Sequence, residues 1–218
     1  MVNILRKISF FIILSSSVSI SQAEPNGDAS QKVASDVQSL YRQWADIRYK
    51  QKSEKREAMF ESLREEAELL TDAHPNNAEL WIWRGIINST YAGEVGGLSA
   101  LSVIKEAKKN LKMALKLDAT ALSGSAYTSL GVLYYQVPGW PLSFGDNDEA
   151  EKLLKKGLAI NPKGIDPNFF YADFLINQGR KKEAGSYLEI AENATDRDDR
   201  PVADKGRRAE IVELKGKL

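Results

Sequence analysis

Apolar residues recur every three or four positions through most of the chain after Gly27, which is the period of an amphipathic helix. Gly, Pro and Asn interrupt this pattern and divide it into segments of roughly 13–20 residues, a length typical of single helices. No stretch shows the bounded alternation of β-branched residues that indicates strands. The pattern therefore predicts an all-α protein made of stacked helical hairpins.

Three parts of the chain repeat the same arrangement of two helices, at about 77–119, 122–162 and 166–195. The second helix of each part has a small residue, then Leu four positions later, then another small residue three positions further on. These residues are Ala107, Leu111 and Ala114 in the first part, Ala150, Leu154 and Gly157 in the second, and Ala184, Leu188 and Ala191 in the third. The first helices carry the small residues Gly85, Gly131 and Ala172. Small residues let two helices approach closely, so the spacing predicts the helix contacts within each hairpin.

This spacing resembles the tetratricopeptide repeat, a helix–turn–helix unit of about 34 residues. The resemblance implies a solenoid, because one hairpin buries its apolar face only when a neighbour stacks on it. We expect a single domain over 35–218, with a preceding helix pair at 35–75 and a capping helix at about 201–218. Pro201 suits the first turn of that last helix, where its missing N–H is not needed.

The first and second repeats carry insertions between their helices, whereas the third has hardly any loop. Insertions in solenoids tend to project on one face, which is often the binding face. The second insertion, at 136–148, resembles those of exported bacterial tetratricopeptide proteins. It is also similar, more weakly, to the periplasmic component associated with TRAP solute transporters. That likeness implies a role beside a substrate-binding protein, or a cavity for a small apolar ligand.

Aromatic residues of the repeats are candidates for both packing and binding. Trp140 and Phe144, in the second insertion, either fold back to cap the hairpin or line a groove, since aromatic side chains are favoured anchors at interfaces. Trp81 and Trp83 lie two positions apart on one helix and therefore point in different directions. We expect one of these two in the core and the other nearer the groove.

Two polar features allow alternatives. Arg84 occupies a position that the repeat normally fills with Leu, so it is either buried with a carboxylate partner or extended to the groove. Asp148 with Glu151 fits a capping box at the start of a helix, and Asp146 with Glu149 is the alternative frame.

The family resemblance implies a concave surface lined by the first helices and used for binding. With the loop aromatics added, the candidate partner contacts are Ile82, Ile86, Thr128, Tyr135, Trp140, Phe144, Phe169 and Asp173. This set is more apolar than a groove built for a charged peptide terminus. It favours a helical or extended segment of another protein, or a small apolar ligand, and leaves open whether the groove is a closed cavity.

The first residues have the layout of a secretory signal peptide. Arg6 and Lys7 precede an apolar run at 8–14, and small residues stand before a cleavage point after Ala23. The apolar run is well short of the ~20 residues that a membrane span needs. We therefore expect a signal peptide at 1–23, a linker at 24–34, and an exported, soluble protein that is periplasmic if the host is bacterial.

Composition narrows the possible chemistry. The chain of 218 residues has 30 Lys+Arg, 30 Asp+Glu, one His and no Cys, and its formal net charge is zero. Zero net charge argues against nucleic-acid binding, and the absence of Cys excludes disulfides, thiolate nucleophiles, Cys-ligated metals and a lipoprotein anchor. His74 precedes Pro75 in a turn and has no ligand-spaced partner. We therefore expect no metal, no cofactor and no enzymatic activity, and a non-catalytic scaffold or adaptor that binds another protein.

Overall fold

The computed structural model describes residues 25–218, with side chains from residue 29 onward. The signal peptide predicted at 1–23 lies outside the described residues. The helix α1 begins at Pro25, within the stretch that the sequence predicts as a linker. None of the helices in the described range is long and apolar enough to cross a membrane.

Nine helices and no strands make up residues 25–218, so the prediction of an all-α fold of helical hairpins is confirmed. The helices are α1 (Pro25–Lys50), α2 (Ser53–Ala73), α3 (Ala78–Val95), α4 (Ala100–Leu117), α5 (Ala121–Gln136), α6 (Asn147–Ile160), α7 (Ile165–Asn177), α8 (Lys181–Glu192) and α9 (Pro201–Lys215). Consecutive helices pack as hairpins, the closest pairs being α3 with α4, α5 with α6, and α7 with α8.

The small residues of the first helices mark where each hairpin is tightest. A Cβ added to Gly85 would lie 2.7 Å from Cγ of Leu111, and one added to Gly131 would lie 2.7 Å from Cγ of Leu154. Both distances are shorter than real Cβ contacts, so a larger residue at either position would force the facing leucine or its helix to move. Ala172 is fully buried at the matching position of α7.

The odd-numbered helices form a closed ring. Each of α1, α3, α5 and α7 contacts the next odd-numbered helix, and α9 packs in turn against α1. The even-numbered helices lie outside, because each packs on two odd-numbered ones, as α4 does on α3 and α5. The last helix therefore does more than cap a stack, as the sequence suggested; it joins the two ends of the array.

The contact between α1 and α9, which we call the seam, combines close packing with polar bonds. A Cβ added to Gly206 would lie 2.4 Å from Cδ1 of Tyr49, so α9 rests directly on that ring. Glu210 accepts hydrogen bonds from Nη2 of Arg48 at 3.2 Å and from the Tyr49 hydroxyl at 3.3 Å. The seam is thus held by residues that lie 157–162 positions apart in the chain.

The hydrogen bonds at the start of α6 show which residue caps this helix. The Asp146 carboxylate accepts hydrogen bonds from the backbone N–H groups of Asp148 and Glu149, both at 3.0 Å. Asp146 is therefore the N-cap, and the preference for Asp148 with Glu151 was wrong. The backbone N–H of Asp146 is bonded to the carbonyl of Tyr134, which fixes the end of the inserted loop to α5.

Arg84 is buried and paired. Its Nη1 donates to the Thr71 hydroxyl at 2.8 Å, and its Nη2 donates to Glu68 at 2.5 Å and to Glu106 at 3.3 Å. These partners stand on α2 and α4, on both sides of α3. Arg84 therefore links three helices outside the centre of the ring.

Candidate functional site

The ring of odd-numbered helices surrounds a cavity of about 1880 Å³, which we call the central cavity. Every odd-numbered helix contributes to its lining, and the ends of several even-numbered helices and loops complete it. Two of the residues predicted to bind a partner, Ile86 and Thr128, line this cavity. Ser89 and Val132 lie beside them in the lining.

Four other predicted contacts do not line the central cavity. Ile82 is 0% exposed and packs in the core, so it is not open to a partner in this structure. The Tyr135 hydroxyl donates to Asp173 at 2.6 Å, in a contact that joins α5 to α7. Phe169 is buried, and the next residue, Phe170, faces the cavity instead. Consecutive helix positions point about 100° apart, so an error of one position moves the whole predicted face of α7.

The two aromatic residues of the inserted loop behave differently from each other. Phe144 folds back onto Tyr134, with ring centroids 5.3 Å apart, and Nζ of Lys108 lies 3.8 Å from the Phe144 centroid. Burial lowers the pKa of Lys108 in this contact. Trp140 is 89% exposed and lies outside the lining of the central cavity. Phe144 thus caps the hairpin, which was one of the two alternatives. Trp140 neither caps the hairpin nor lines the cavity.

A cluster of aromatic side chains from α1 and α3, which we call the aromatic wall, lines the cavity near the seam. Trp83 lies 5.9 Å from Tyr41 and 6.0 Å from Trp44, and Trp44 meets Tyr49 edge-on at 5.8 Å. The indole N–H of Trp44 is bonded to the Thr90 hydroxyl at 2.9 Å. The indole N–H of Trp83 is buried and has no acceptor among residues 29–218.

Trp83 rather than Trp81 is the indole that reaches the cavity. Trp81 is partly exposed and donates its N–H to the carbonyl of Pro75 at 2.8 Å, near the start of α3. Trp83 is 5% exposed and belongs to both the core and the lining. The buried member of the pair is therefore the one nearer the binding surface.

Arginine side chains surround the aromatic wall. Five of them line the cavity: Arg48, Arg56, Arg197, Arg200 and Arg207. Arg197 and Arg207 both donate to Asp166, at 2.8 and 3.0 Å. Arg48 and Arg207 both donate to Glu210, at 3.2 and 2.5 Å. Arg197 also pairs with Asp204, and Arg48 and Arg56 each lie 3.8 Å from Glu94, so these four arginines all have carboxylate partners.

The ion pairs change how the neighbouring groups titrate. Burial opposes ionisation of Asp166, but the charges of Arg207 and Arg197 outweigh it and hold the pKa of that carboxyl below its usual value. Burial raises the pKa of Tyr49 to about 12, with the charge of Arg207 opposing the shift. Asp166 therefore remains charged and Tyr49 remains protonated through the neutral range.

Arg200 differs from the other four arginines. Its guanidinium lies over the rings of Tyr41, at 4.7 Å, and Trp83, at 5.6 Å from the centroids. Its Nε lies 3.5 Å from the carboxylate of Asp199. Neither of its Nη nitrogens has a hydrogen-bond or ion-pair partner in the described part of the chain. Arg200 is thus held by stacking while most of its donors stay free.

Sequence reasoning missed this end of the cavity, although a signal was present. Tyr41, Trp44 and Arg48 follow one another at intervals of three and four, as residues of one helix face do. Arg207 stands on the last helix, and Arg200, seven positions earlier, is the residue that immediately precedes this helix. These residues stand outside the three repeats, and only the closure of the ring brings them together.

Comparison with known proteins supports the repeat assignment for part of the chain. Residues 142–204 match a family described as tetratricopeptide repeat, which covers α6, α7, α8 and the start of α9. No curated protein matches the chain. Tetratricopeptide repeats generally bind proteins or peptides. In the described residues no three His, Asp or Glu side chains converge as metal ligands would.

Proposed function

We propose that this chain is a non-catalytic, exported interaction module, a scaffold or adaptor, that takes a segment of another protein into its central cavity. One observation carries the proposal: an array of helical hairpins, of which residues 142–204 match the tetratricopeptide repeat, closes around a cavity of about 1880 Å³ that is lined by aromatic and polar side chains. Pockets for drug-sized ligands measure roughly 300–1,000 Å³, so this cavity is large enough for a polypeptide segment.

The lining suits a polypeptide in composition as well as in size. Ile86, Val132 and Phe170 offer apolar contacts from three successive helices of the ring. Ser89 and Thr128 add hydroxyl groups between them. Aromatic and apolar anchors supply most of the binding energy at protein interfaces, and scattered polar groups fix orientation.

A charge introduced into the cavity lining tests this proposal. Peptides selected from a random library on the immobilised chain are measured by calorimetry against the wild type and Val132→Arg. The longer, charged side chain replaces an apolar contact in the lining and projects a cation into the cavity, so we expect the dissociation constant to rise at least tenfold. Val212→Arg is the matched control, because Val212 is exposed on α9 and does not line the cavity. Equal affinity for Val132→Arg and the wild type, with both folded by circular dichroism, would contradict the proposal.

A small apolar ligand, as in a transporter accessory protein, is the alternative function. The closed ring favours it, since a concave surface lined on every side by helices can bury much of a small apolar ligand. Native mass spectrometry of the purified chain distinguishes the two functions. A small molecule retained by the wild type and lost in Val132→Arg would support the alternative, and an empty cavity that binds selected peptides would support the adaptor.

Export is the part of the proposal that rests on residues 1–23 alone. The full chain is expressed in a bacterial host and its N-terminus is determined in each cell fraction. We expect a chain that begins at Glu24 in the periplasmic fraction. A chain that retains Met1 and stays in the cytoplasm would count against export and leave the binding proposal intact.

A further inference from the structure

We propose that the seam end of the central cavity is a binding site for a carboxylate group carried on an apolar body, with Arg200 and Trp83 as the donors. This inference deepens the proposed function and rests on it, since it concerns what the same cavity recognises. It differs from the contacts expected of a tetratricopeptide groove, because the residues belong to α3 and the start of α9 rather than to the repeat positions predicted from the sequence.

The first argument is the state of Arg200. A guanidinium group presents five N–H donors in a planar fork that matches the two oxygens of a carboxylate. Stacking on Tyr41 and Trp83 holds this plane without using its donors. Among the described residues its one ion-pair partner is Asp199, which lies 3.5 Å from Nε and whose side chain is half exposed. The Nη side of the fork is therefore free for an acceptor.

The second argument is the indole N–H of Trp83, which is buried and unpartnered among the described residues. A buried donor without an acceptor costs about 1–3 kcal/mol, so such groups usually have a partner. Trp83 lines the cavity, and its ring centroid lies 5.6 Å from Cζ of Arg200. Two side chains in contact with each other thus carry N–H donors that have no partner among the described residues.

The third argument is the surroundings of these donors. The aromatic wall offers apolar area to the body of a ligand. The neighbouring arginines, Arg48, Arg197 and Arg207, already share the carboxylates of Asp166 and Glu210. They therefore compete little for a ligand anion, and Arg200 is left as the specific anchor. Charge-assisted hydrogen bonds to guanidinium are among the stronger ones.

One ligand chemistry fits from two sources. A free carboxylic acid with an aromatic or aliphatic body would place its carboxylate on Arg200 and its body on the aromatic wall. A polypeptide would do the same with its C-terminal carboxylate and last apolar side chain. The shared requirement is an ionised carboxylate next to an apolar group.

The test on the unmodified chain uses 3-phenylpropionate and its neutral amide, 3-phenylpropionamide, as probes. Their dissociation constants are measured by ligand-observed nuclear magnetic resonance. We expect the acid to bind at least tenfold more tightly than the amide, because the amide offers one acceptor and no charge to the guanidinium. Equal binding of acid and amide would overturn the inference.

Variants then locate the site. Arg200→Gln should remove the preference for the acid over the amide. Arg42→Gln is the matched control, since it removes the same charge from an exposed position of α1 outside the cavity, and it should keep the preference. If Arg200→Gln does not fold, Trp83→Phe is measured instead, because it keeps an aromatic ring at this position and removes the N–H together with the five-membered ring that carries it. Trp83→Phe should raise the dissociation constant of the acid several-fold and leave that of the amide unchanged. An unchanged dissociation constant of the acid would overturn the role of Trp83.

The source of the carboxylate is decided with the peptides selected above. Each is compared with a free and an amidated C-terminus. Loss of at least tenfold on amidation identifies a polypeptide terminus, and no loss, together with tight binding of the acid, identifies a free acid. If peptides bind in the cavity but neither amidation nor Arg200→Gln matters, this inference fails and the proposed function stands. If neither peptides nor acid bind, both fail.

Discussion

Arg84 shows, at the scale of one residue, how a charge is accommodated where the repeat usually has Leu. Its guanidinium is buried, whereas its partners Glu68 and Glu106 remain partly exposed. If the arginine is removed, those carboxylates are solvated by water. If the carboxylates are removed, the buried guanidinium loses its closest anionic partners. The two changes have very different expected costs.

We predict that Arg84→Leu changes the free energy of unfolding by less than about 1 kcal/mol, because a buried ion pair is often replaced by an apolar side chain at little cost. The double variant Glu68→Gln, Glu106→Gln should lose about 2 kcal/mol or more, since it leaves Arg84 without its closest carboxylates. Urea unfolding followed by circular dichroism measures both. A larger loss in Arg84→Leu than in the double variant would show that the arginine itself stabilises the three helices.

The glycines of α3 provide a second comparison between residues of one helix. Gly85 faces Leu111 at a distance that leaves no room for a methyl group, whereas a Cβ on Gly93 would meet nothing within 4 Å. We predict that Gly85→Ala destabilises the protein by about 1–3 kcal/mol through overpacking. Gly93→Ala should stabilise it by about 0.5–1 kcal/mol, since Ala is the better helix former. Thermal unfolding of both variants checks the opposite signs.

Glu151 joins three consecutive helices through its carboxylate. It stands on α6 and accepts hydrogen bonds from Tyr171 on α7 and from Arg180, the N-cap of α8, both at 2.9 Å. Lys155, one turn along α6, lies 2.9 Å away as well. Hydrogen bonds from Lys155 and Arg180 lower the pKa of Glu151 to about 2.

We predict that Glu151→Gln makes stability less sensitive to acid. The folded pKa is depressed below the usual 4.5, so the ionised group contributes stability above pH 4.5, and this contribution is lost as the pH falls towards 2. The difference in unfolding free energy between the wild type and Glu151→Gln should therefore be largest near neutral pH and vanish near pH 2. Urea titrations across this range test it, with Glu213→Gln, at an exposed position of α9, as control.

How far the sequence predicts each helix depends on whether its packing is local. The hairpins from α3 to α8 were predictable because their contacts are local in sequence. Gly85 packs on Leu111 and Gly131 packs on Leu154, so each contact lies within some 40 residues and recurs at the spacing of the repeat. The direction of each helix face was less predictable. An offset of one position on α7 exchanged Phe169 for Phe170 in the lining, because alignment to a repeat fixes the helix better than its rotation.

The candidate site at the seam was not predictable for a reason that belongs to the whole molecule. Whether α9 meets α1 depends on the small rotation that each hairpin adds to the last, and this sum is not encoded in any single segment. The aromatic wall and Arg200 each have a local pattern. Their convergence exists only because the array turns through a full circle within four hairpins and one further helix.

The closure of the ring gives the last prediction. A methyl group at Gly206 would overlap the Tyr49 ring, so Gly206→Ala should push α9 away from α1 and open the seam. The hairpins themselves do not depend on this contact. We therefore expect unchanged helical content, with faster amide hydrogen exchange confined to α1 and α9 and weaker binding of cavity ligands. Gly185→Ala is the control, because its Cβ would make only an ordinary contact, 3.8 Å from Leu218.

A double variant separates opening of the seam from general damage. Tyr49→Ala removes the ring that the new methyl group would meet. The loss of unfolding free energy in the combined Tyr49→Ala, Gly206→Ala variant should therefore be smaller than the sum of the losses in the two single variants. Residues that contact each other directly show such coupling, and residues that act through unrelated strain do not. Additive costs, or faster exchange spread evenly over α3 to α8, would mean that the ring is held by the stacked hairpins and that the seam contributes little to its closure.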